Sequence, residues 1–82
     1  MELKETVDLM NSEDYKDRFK AEYLQTKIRY EKLVKMLVKL DAGTLDFEPT
    51  CSRVVLLRQK RAMAEYLNVL EIRAEVEGIT LE

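Results

Sequence analysis

Apolar residues recur at helical spacing on both sides of one short connecting stretch. From Phe19 onward they are separated alternately by four and three residues, with a single polar member, Thr26. This alternation is typical of the heptad seam along which one helix packs against another. A second apolar stripe lies beside the seam and widens it, so the helix carries more apolar surface than one partner helix covers. The seam is Phe19, Tyr23, Thr26, Tyr30, Leu33, Leu37 and Leu40, and the second stripe is Leu24, Ile28, Val34 and Val38.

A matching pattern follows the connection. The second helix is predicted to begin after a cap at Thr50 or Ser52 and to end at Gly78. We expect four apolar side chains to face water in an isolated hairpin, namely Val38, Val54, Leu57 and Leu67. The predicted seam is Leu56, Gln59, Met63, Tyr66, Leu70, Arg73 and either Val76 or Glu77, with Val55, Ala62, Val69 and Ile72 alongside.

The connection itself is the stretch DAGTLDFEPTCS, residues 41–52. Gly43 is suited to end the first helix in a left-handed conformation, and Pro49 disfavours helix at the residue before it. Ser12 is the predicted N-cap of the first helix. Two long helices joined by so short a loop run antiparallel. The predicted fold is therefore all-α, an antiparallel two-helix hairpin over residues 14–82, preceded at residues 1–13 by a short helix or a mobile arm.

The surplus apolar surface predicts self-association. A domain of 82 residues has a limited core, and its only cysteine, Cys51, has no intramolecular disulfide partner. The chain has no histidine, which together with the single thiol disfavours a zinc or haem site. We therefore expect a homo-oligomeric helical bundle in which the extra stripes pack against other copies.

Charge and hydropathy narrow the class of protein. The net charge of −2 disfavours a general nucleic-acid-coating protein, although residues 14–35 hold seven Lys or Arg against four acidic residues. The N-terminus MELKETVDLM lacks the basic start and apolar run of a signal peptide, and no segment approaches the roughly 20 apolar residues of a membrane span. These features predict a cytoplasmic protein.

Residue types that support catalysis are sparse. No histidine can act as a base, and the two glycines are too far apart for a phosphate-binding loop. Glu71 and Glu75 are four residues apart, which in a helix this rich in charge indicates a solvated face. Cys51 lies near a helix start and is interpreted as a capping or loop-packing residue. We predict a non-enzymatic protein without metal or cofactor.

The stretch DYKDRFKAEYLQTKIRY, residues 14–30, combines aromatic rings with cations, as nucleotide-binding surfaces do. Phe19, Tyr23 and Tyr30 are better explained as seam residues. Tyr15 is the stronger candidate for stacking on a base, because it lies in the first helical turn, where subunits could meet. The cations available for phosphate are Lys16, Arg18, Lys20, Lys27, Arg29 and Lys32.

Arg73 on the predicted seam needs a partner, because an unpaired buried guanidinium is costly. Glu22, Glu31 or Glu71 could supply one within the chain. An anionic ligand in a pocket between subunits could do the same, and the sequence leaves both possibilities open.

Three segments together resemble a family of phage-encoded helical hairpins related to the anti-CBASS and anti-Thoeris cyclic-nucleotide sponges. They are YKDRFKAEYLQTKIRYEKL, the turn FEPTC, and LLRQKRAMAEYLNVLEIRAEVEGI, within residues 14–81. The resemblance implies a non-enzymatic oligomer, commonly a hexamer, that sequesters cyclic oligonucleotide or cyclic ADP-ribose-type immune signals in the host bacterial cytoplasm. It implies stacking by Tyr15, phosphate contacts from Lys27 or Lys32, and a second inter-subunit pocket served by Arg73. Arg18 completes the predicted ligand-binding set.

Two other functions remain open. A structural or protein-interaction hairpin would use the spare apolar stripe to bind a host or phage protein. A DNA-binding regulator is disfavoured, because the chain lacks a helix-turn-helix pattern and its net charge has the wrong sign.

Overall fold

Helices are the only regular secondary structure in residues 1–81, the part of the chain that the computed structural model describes. A 3₁₀ helix at Leu3–Thr6 runs directly into the short helix α1, Val7–Met10. Two long helices follow, α2 at Tyr15–Ala42 and α3 at Arg53–Glu77. The all-α prediction is confirmed.

Side-chain contacts show that α2 and α3 run in opposite directions. Tyr15 at the start of α2 bonds to Glu77 at the end of α3, and Arg53 at the start of α3 bonds to Asp41 at the end of α2. The Arg53–Asp41 pair is bidentate, at 2.7 and 2.9 Å, and fastens the hairpin next to its loop. The described chain is a helical hairpin with a short N-terminal extension.

Capping side chains and glycines determine where the two long helices begin and end. Ser52 caps α3 by accepting the Val55 N–H, and glycines end both long helices with φ of 76° and 69°. The predicted Ser12 cap is wrong. The side chain of Asp14 accepts the Lys16 N–H at 2.9 Å instead, while Ser12 donates its hydroxyl to Asp17 at 2.8 Å. Ser12 therefore braces the first turn of α2 from outside the helix.

The main core lies toward the open end of the hairpin, away from the loop. Phe19 and Tyr23 from α2 are buried there, as the seam on α2 predicted. Leu70 of α3 is completely buried at its centre, and Ile79 covers it from beyond the end of α3. The buried members of this core are Phe19, Tyr23, Leu67, Leu70, Ala74 and Ile79.

The helix α3 is rotated relative to the predicted seam. Leu67 and Ala74 are buried, at 8% and 3% exposure, whereas Gln59, Tyr66 and Arg73 are exposed. The predicted burial of these last three residues is wrong, and so is the predicted exposure of Leu67. The observed row and the predicted row share Leu56, Met63 and Leu70, so apolar spacing fits both. Burying Leu67 and Ala74 leaves Gln59 and Arg73 in water, which avoids the cost of desolvating them.

The N-terminal segment covers a different face of α2. Thr6 is fully buried, and its hydroxyl donates to the Leu3 carbonyl at 2.7 Å and accepts from Gln25 Nε2 at 2.8 Å. Ala21 and Ile28 lie on the same face of α2 as Gln25 and are buried. Residues 3–10 are thus helical and packed on the hairpin, and the predicted boundary at residue 13 stays a prediction. Part of the surplus apolar surface is covered within the chain.

Apolar surface nevertheless remains on the outside of both long helices. Val38 and Val54 are 62% and 69% exposed, as expected from the sequence. Assembly into a homo-oligomeric bundle stays a prediction. No described helix has an apolar stretch long enough to cross a membrane.

Candidate functional site

The five predicted ligand-binding residues occupy two separate places in a single chain. Tyr15, Arg18 and Arg73 lie at the open end of the hairpin, and Lys27 and Lys32 lie farther along α2. Tyr15 and Lys27 are twelve residues apart, which is about 18 Å along a helix. These residues therefore do not form one pocket within the described chain.

The first group joins the two helix ends, and we call Tyr15, Phe19, Arg73 and Glu77 the end cluster. The Tyr15 hydroxyl donates to Glu77 Oε1 at 2.9 Å and accepts from Arg73 Nη2 at 2.9 Å. Arg73 Nε also donates to Glu77 Oε2 at 3.3 Å. The guanidinium is thereby paired without Glu22, Glu31 or Glu71, so the predicted internal partners of Arg73 are wrong.

Aromatic contacts complete the end cluster. The Arg73 guanidinium lies 4.9 Å from the centroid of the Phe19 ring, a cation–π distance. The rings of Tyr15 and Phe19 are 6.1 Å apart and inclined by 59°. Tyr15 remains 47% exposed. The end cluster thus presents a fixed, half-exposed aromatic ring beside a guanidinium.

The hydrogen bond to the Glu77 carboxylate raises the pKa of Tyr15 above its ordinary value of 10.0. The carboxylate favours the protonated phenol, which can donate to it, and the charge of Arg73 opposes this effect only in part. Tyr15 is therefore a neutral donor at physiological pH. Such a ring can stack on a base without adding negative charge beside a phosphate.

Arg18 makes a local contact. Its Nη1 donates to the Ser12 carbonyl at 2.8 Å, which ties the chain entering α2 to the first turns of that helix. This contact serves the fold. Its predicted part in ligand binding stays a prediction.

The second group lines a groove of about 570 Å³ along α2, which we call the lysine groove. Lys27, Lys32 and Lys35 contribute its positive charge, and Leu24 and Ile28 contribute apolar surface. Met1, Glu2 and Leu81 form its walls, and Glu31 lies among the lysines. Its volume falls within the roughly 300–1,000 Å³ typical of small-molecule sites.

The electrostatics of the lysine groove suit a flat anion. Three lysines outnumber the two carboxylates of Glu2 and Glu31, and their ammonium groups are strong donors to phosphate oxygens. Lys27 Nζ lies 5.9 Å from the centroid of the Tyr23 ring. A ligand with a ring system and a phosphate could place the ring on the apolar side chains and the phosphate on the lysines.

Lys35 was absent from the predicted site residues. The signal that could have found it is its spacing, because it lies three residues after Lys32 and eight after Lys27, on the same side of α2. In the sequence, Lys35 is one of the seven cations of residues 14–35. The groove exists only because Met1, Glu2 and Leu81 pack beside α2, and the sequence alone does not predict that packing.

A smaller cavity of about 360 Å³ lies at the loop. Leu40, Phe47, Pro49 and Cys51 line part of it, and no predicted binding residue does. The capping role considered for Cys51 belongs to Ser52, and the exposed thiol faces this cavity. Within residues 1–81 no group of three or more acidic or cysteine side chains is arranged to hold a metal ion.

The family model for Sequestin matches residues 13–76, from the start of α2 almost to the end of α3. The chain belongs to the Sequestin family. The Sequestin match includes the positions of Tyr15, Arg18, Lys27, Lys32 and Arg73, whereas the packed N-terminal helices lie outside it. The family's name is consistent with a sequestering function. The comparisons with curated proteins and with solved structures find no match.

Proposed function

We propose that this Sequestin-family chain is a phage anti-defence protein that binds and sequesters immune signalling molecules. The proposed ligands are cyclic oligonucleotides or cyclic ADP-ribose-type molecules, and the proposed location is the host bacterial cytoplasm. The observation that carries this proposal is the Sequestin match across residues 13–76. The resemblance to anti-CBASS and anti-Thoeris sponges supplies the ligand class.

The chemistry of the two groups supports such a ligand. A cyclic nucleotide has flat bases and negatively charged phosphates. The Tyr15 ring offers a stacking surface, and stacking contributes about 1–3 kcal/mol per base. Lys27, Lys32 and Lys35 offer charge-assisted hydrogen bonds for the phosphates. Tight binding without turnover is what a sponge requires, and we propose that the protein has no enzymatic activity.

The separation of the two groups suggests how a complete pocket forms. Within one chain, the end cluster and the lysine groove lie about 18 Å apart along α2. We propose that in the homo-oligomer, a hexamer in the related sponges, the end cluster of one copy lies beside the lysine groove of another. Ligand affinity then depends on assembly, so it falls when the protein is diluted below the dissociation constant of the oligomer.

Titration calorimetry with cyclic dinucleotides, cyclic trinucleotides and cyclic ADP-ribose isomers tests this function. We expect one ligand class to bind, and to be recovered intact when the complex is denatured. Lys32→Glu in the groove and Tyr15→Ala in the end cluster should each weaken binding about tenfold or more. Arg29→Glu is the matched control, because it makes the same charge change as Lys32→Glu at an exposed cation on another face of α2.

The outcomes separate three functions. Binding that survives both variants would show that neither group forms the site. Recovery of a cleaved ligand would show an enzyme. A panel without any binding would favour the second candidate, a structural hairpin that binds a host or phage protein. The exposed apolar residues of α3 favour that candidate, because nucleotide binding does not require them.

A further inference from the structure

A carboxylate stands in the middle of the lysine groove. Glu31 lies four residues after Lys27 and four residues before Lys35, so the three side chains follow one row along α2. Lys27 and Lys35 are separated by about 12 Å along the helix axis. All three residues line the groove. The row therefore places one negative charge between two positive charges.

The fold makes no use of the Glu31 side chain. Among residues 1–81 its carboxylate forms neither a hydrogen bond nor an ion pair, although Lys27 and Lys35 lie one helical turn to either side. The other carboxylate of the groove, Glu2, belongs to the capping box at the start of the 3₁₀ helix. Glu31 is therefore the groove carboxylate that remains available to a ligand.

A pocket for phosphate alone gains nothing from this carboxylate. A carboxylate about 4 Å from a phosphate oxygen repels it, and even fully hydrated charges at that distance weaken binding about fivefold. A donor on the ligand reverses the sign of the effect, because a hydrogen bond to an ionised carboxylate is about twice as strong as one between neutral groups. The charges along the row thus fit a ligand whose phosphates are separated by N–H or O–H groups.

Apolar side chains hold the region next to this carboxylate. Leu24 and Ile28 lie seven and three residues before Glu31, on the same side of α2. Ile28 is only 8% exposed, and Leu24 packs against the main core, so both are held in place by the fold. A sugar or a base that rests on these two side chains lies within reach of the Glu31 carboxylate.

We propose that Glu31 is a specificity-determining residue of the lysine groove, which accepts hydrogen bonds from donors lying between the phosphates of the ligand. The inference rests on the proposed function and narrows it to ligands that carry such donors. Paired donors of this kind are the hydroxyls of ribose and the N1–H and N2–H groups of guanine, and a carboxylate accepts from either pair.

Glu31→Gln distinguishes this role from that of a solvated surface charge, because the two roles predict opposite signs. Glutamine keeps the size of the side chain and removes its charge. The probes for titration calorimetry are cyclic di-GMP, its 2′-deoxyribose analogue, cyclic di-AMP and cyclic ADP-ribose. We expect the probe that binds the wild type most tightly to bind the variant about tenfold more weakly. If Glu31 only repelled phosphate, the same probe would bind the variant more tightly.

Sulfate is the matching probe without a donor, since it carries negative charge and no N–H or O–H group. Its competition with the bound probe should be equal or up to about fivefold stronger for Glu31→Gln than for the wild type. Equal weakening of sulfate and nucleotide would show a distorted groove and would overturn the proposal. Glu22→Gln is the matched control, because it makes the same charge change at an exposed glutamate on another face of α2. Equal weakening by this control would show a general effect of charge and would also overturn the proposal.

The four probes also distinguish the two sources of the donor. If the ribose hydroxyls donate, the penalty of Glu31→Gln should disappear with the 2′-deoxyribose analogue. If guanine donates, the penalty should be larger for cyclic di-GMP than for cyclic di-AMP. The same penalty for every probe would refute a donor-specific role for Glu31.

Failure of this inference is distinguishable from failure of the proposed function. Unchanged or tighter nucleotide binding by Glu31→Gln, with helix content intact by circular dichroism, would overturn the role of Glu31 and leave the sequestering function standing. A wild-type protein that binds none of the four probes would overturn both.

Discussion

Replacing Leu67 by Ala tests the rotation of α3, on which the burial of Leu67 and Ala74 and the exposure of Tyr66 and Arg73 depend. Leu67 is 8% exposed, and the substitution removes three carbon atoms from the core. At about 0.8 kcal/mol per buried methylene, the lost transfer free energy is about 2.4 kcal/mol for three carbon atoms. The cavity left behind adds to this, which gives an expected loss of about 2.5 to 5 kcal/mol.

That loss is large for a domain of this size. An 82-residue domain has a free energy of unfolding of about 4 to 12 kcal/mol. Urea unfolding followed by far-ultraviolet circular dichroism, at low protein concentration, measures the change. The Leu67→Ala midpoint should fall well below that of the wild type, with the slope of the transition preserved.

Ile72→Ala is the matched control for this measurement. It removes the same number of carbon atoms from the same helix, but Ile72 is 55% exposed. We expect its free energy of unfolding to change by less than about 1 kcal/mol, because surface substitutions cost little. If Leu67→Ala cost no more than Ile72→Ala, Leu67 would not be in the core, and the seam through Tyr66 and Arg73 would have to be reconsidered.

Three further predictions concern the N-terminal segment, the loop and the end of α3. Thr6→Val keeps the shape of the side chain but removes the oxygen that accepts from Gln25 Nε2. The free energy of unfolding, measured by urea titration, should therefore fall by about 1–3 kcal/mol. The hydrogen bond from Arg53 lowers the pKa of Asp41, so this pair stabilises the fold above about pH 4 and the effect is lost as pH falls through the lowered pKa. Asp41→Asn should therefore lower the melting temperature slightly at pH 7, and the difference from the wild type should shrink as the pH falls through the lowered pKa of Asp41; a difference that stays constant with pH would contradict the linkage. Gly78→Ala should lower the free energy of unfolding by about 1 kcal/mol, because alanine is strained at a φ of 69°. The added methyl meets no atom within 4 Å, so this strain is the whole effect, and an unchanged melting temperature would refute it.

The helices and their ends were largely predictable, because each depends on a local signal. The glycine ends at Gly43 and Gly78 and the cap at Ser52 follow from conformational preferences of single residues. The cap of α2 was harder, since Ser12 and Asp14 are both good caps and only the packing of the preceding segment decides between them.

The rotation of α3 could not be read from its sequence. Leu56, Met63 and Leu70 belong to two possible rows, and the choice depends on which neighbours fit against α2. The fully buried Thr6 was missed for a similar reason. A threonine in an acidic leader has no apolar periodicity around it, and its two hydrogen bonds exist only because Gln25 lies beneath it.

The candidate site was predictable in its residue types but not in its geometry. The sequence identified Tyr15 and Arg73 separately, yet the structure joins them through Glu77, a contact between opposite ends of the hairpin. For the lysines, the sequence left Lys27 and Lys32 as alternatives, whereas both line the same groove. The geometry of the site depends on contacts between distant parts of the chain, which the chemistry of single residues does not predict.

The central position of α2 bears on how the chain assembles during synthesis. Both of its intramolecular partners are its immediate neighbours in the chain, the N-terminal segment before it and α3 after it. Ala21 and Ile28 can be covered as soon as α2 leaves the ribosome, whereas Phe19 and Tyr23 must wait for Leu70. Because the helix contacts join consecutive elements, the chain can fold stepwise and quickly. The apolar face of α2 that packs on α3 is then exposed only while α3 is being translated.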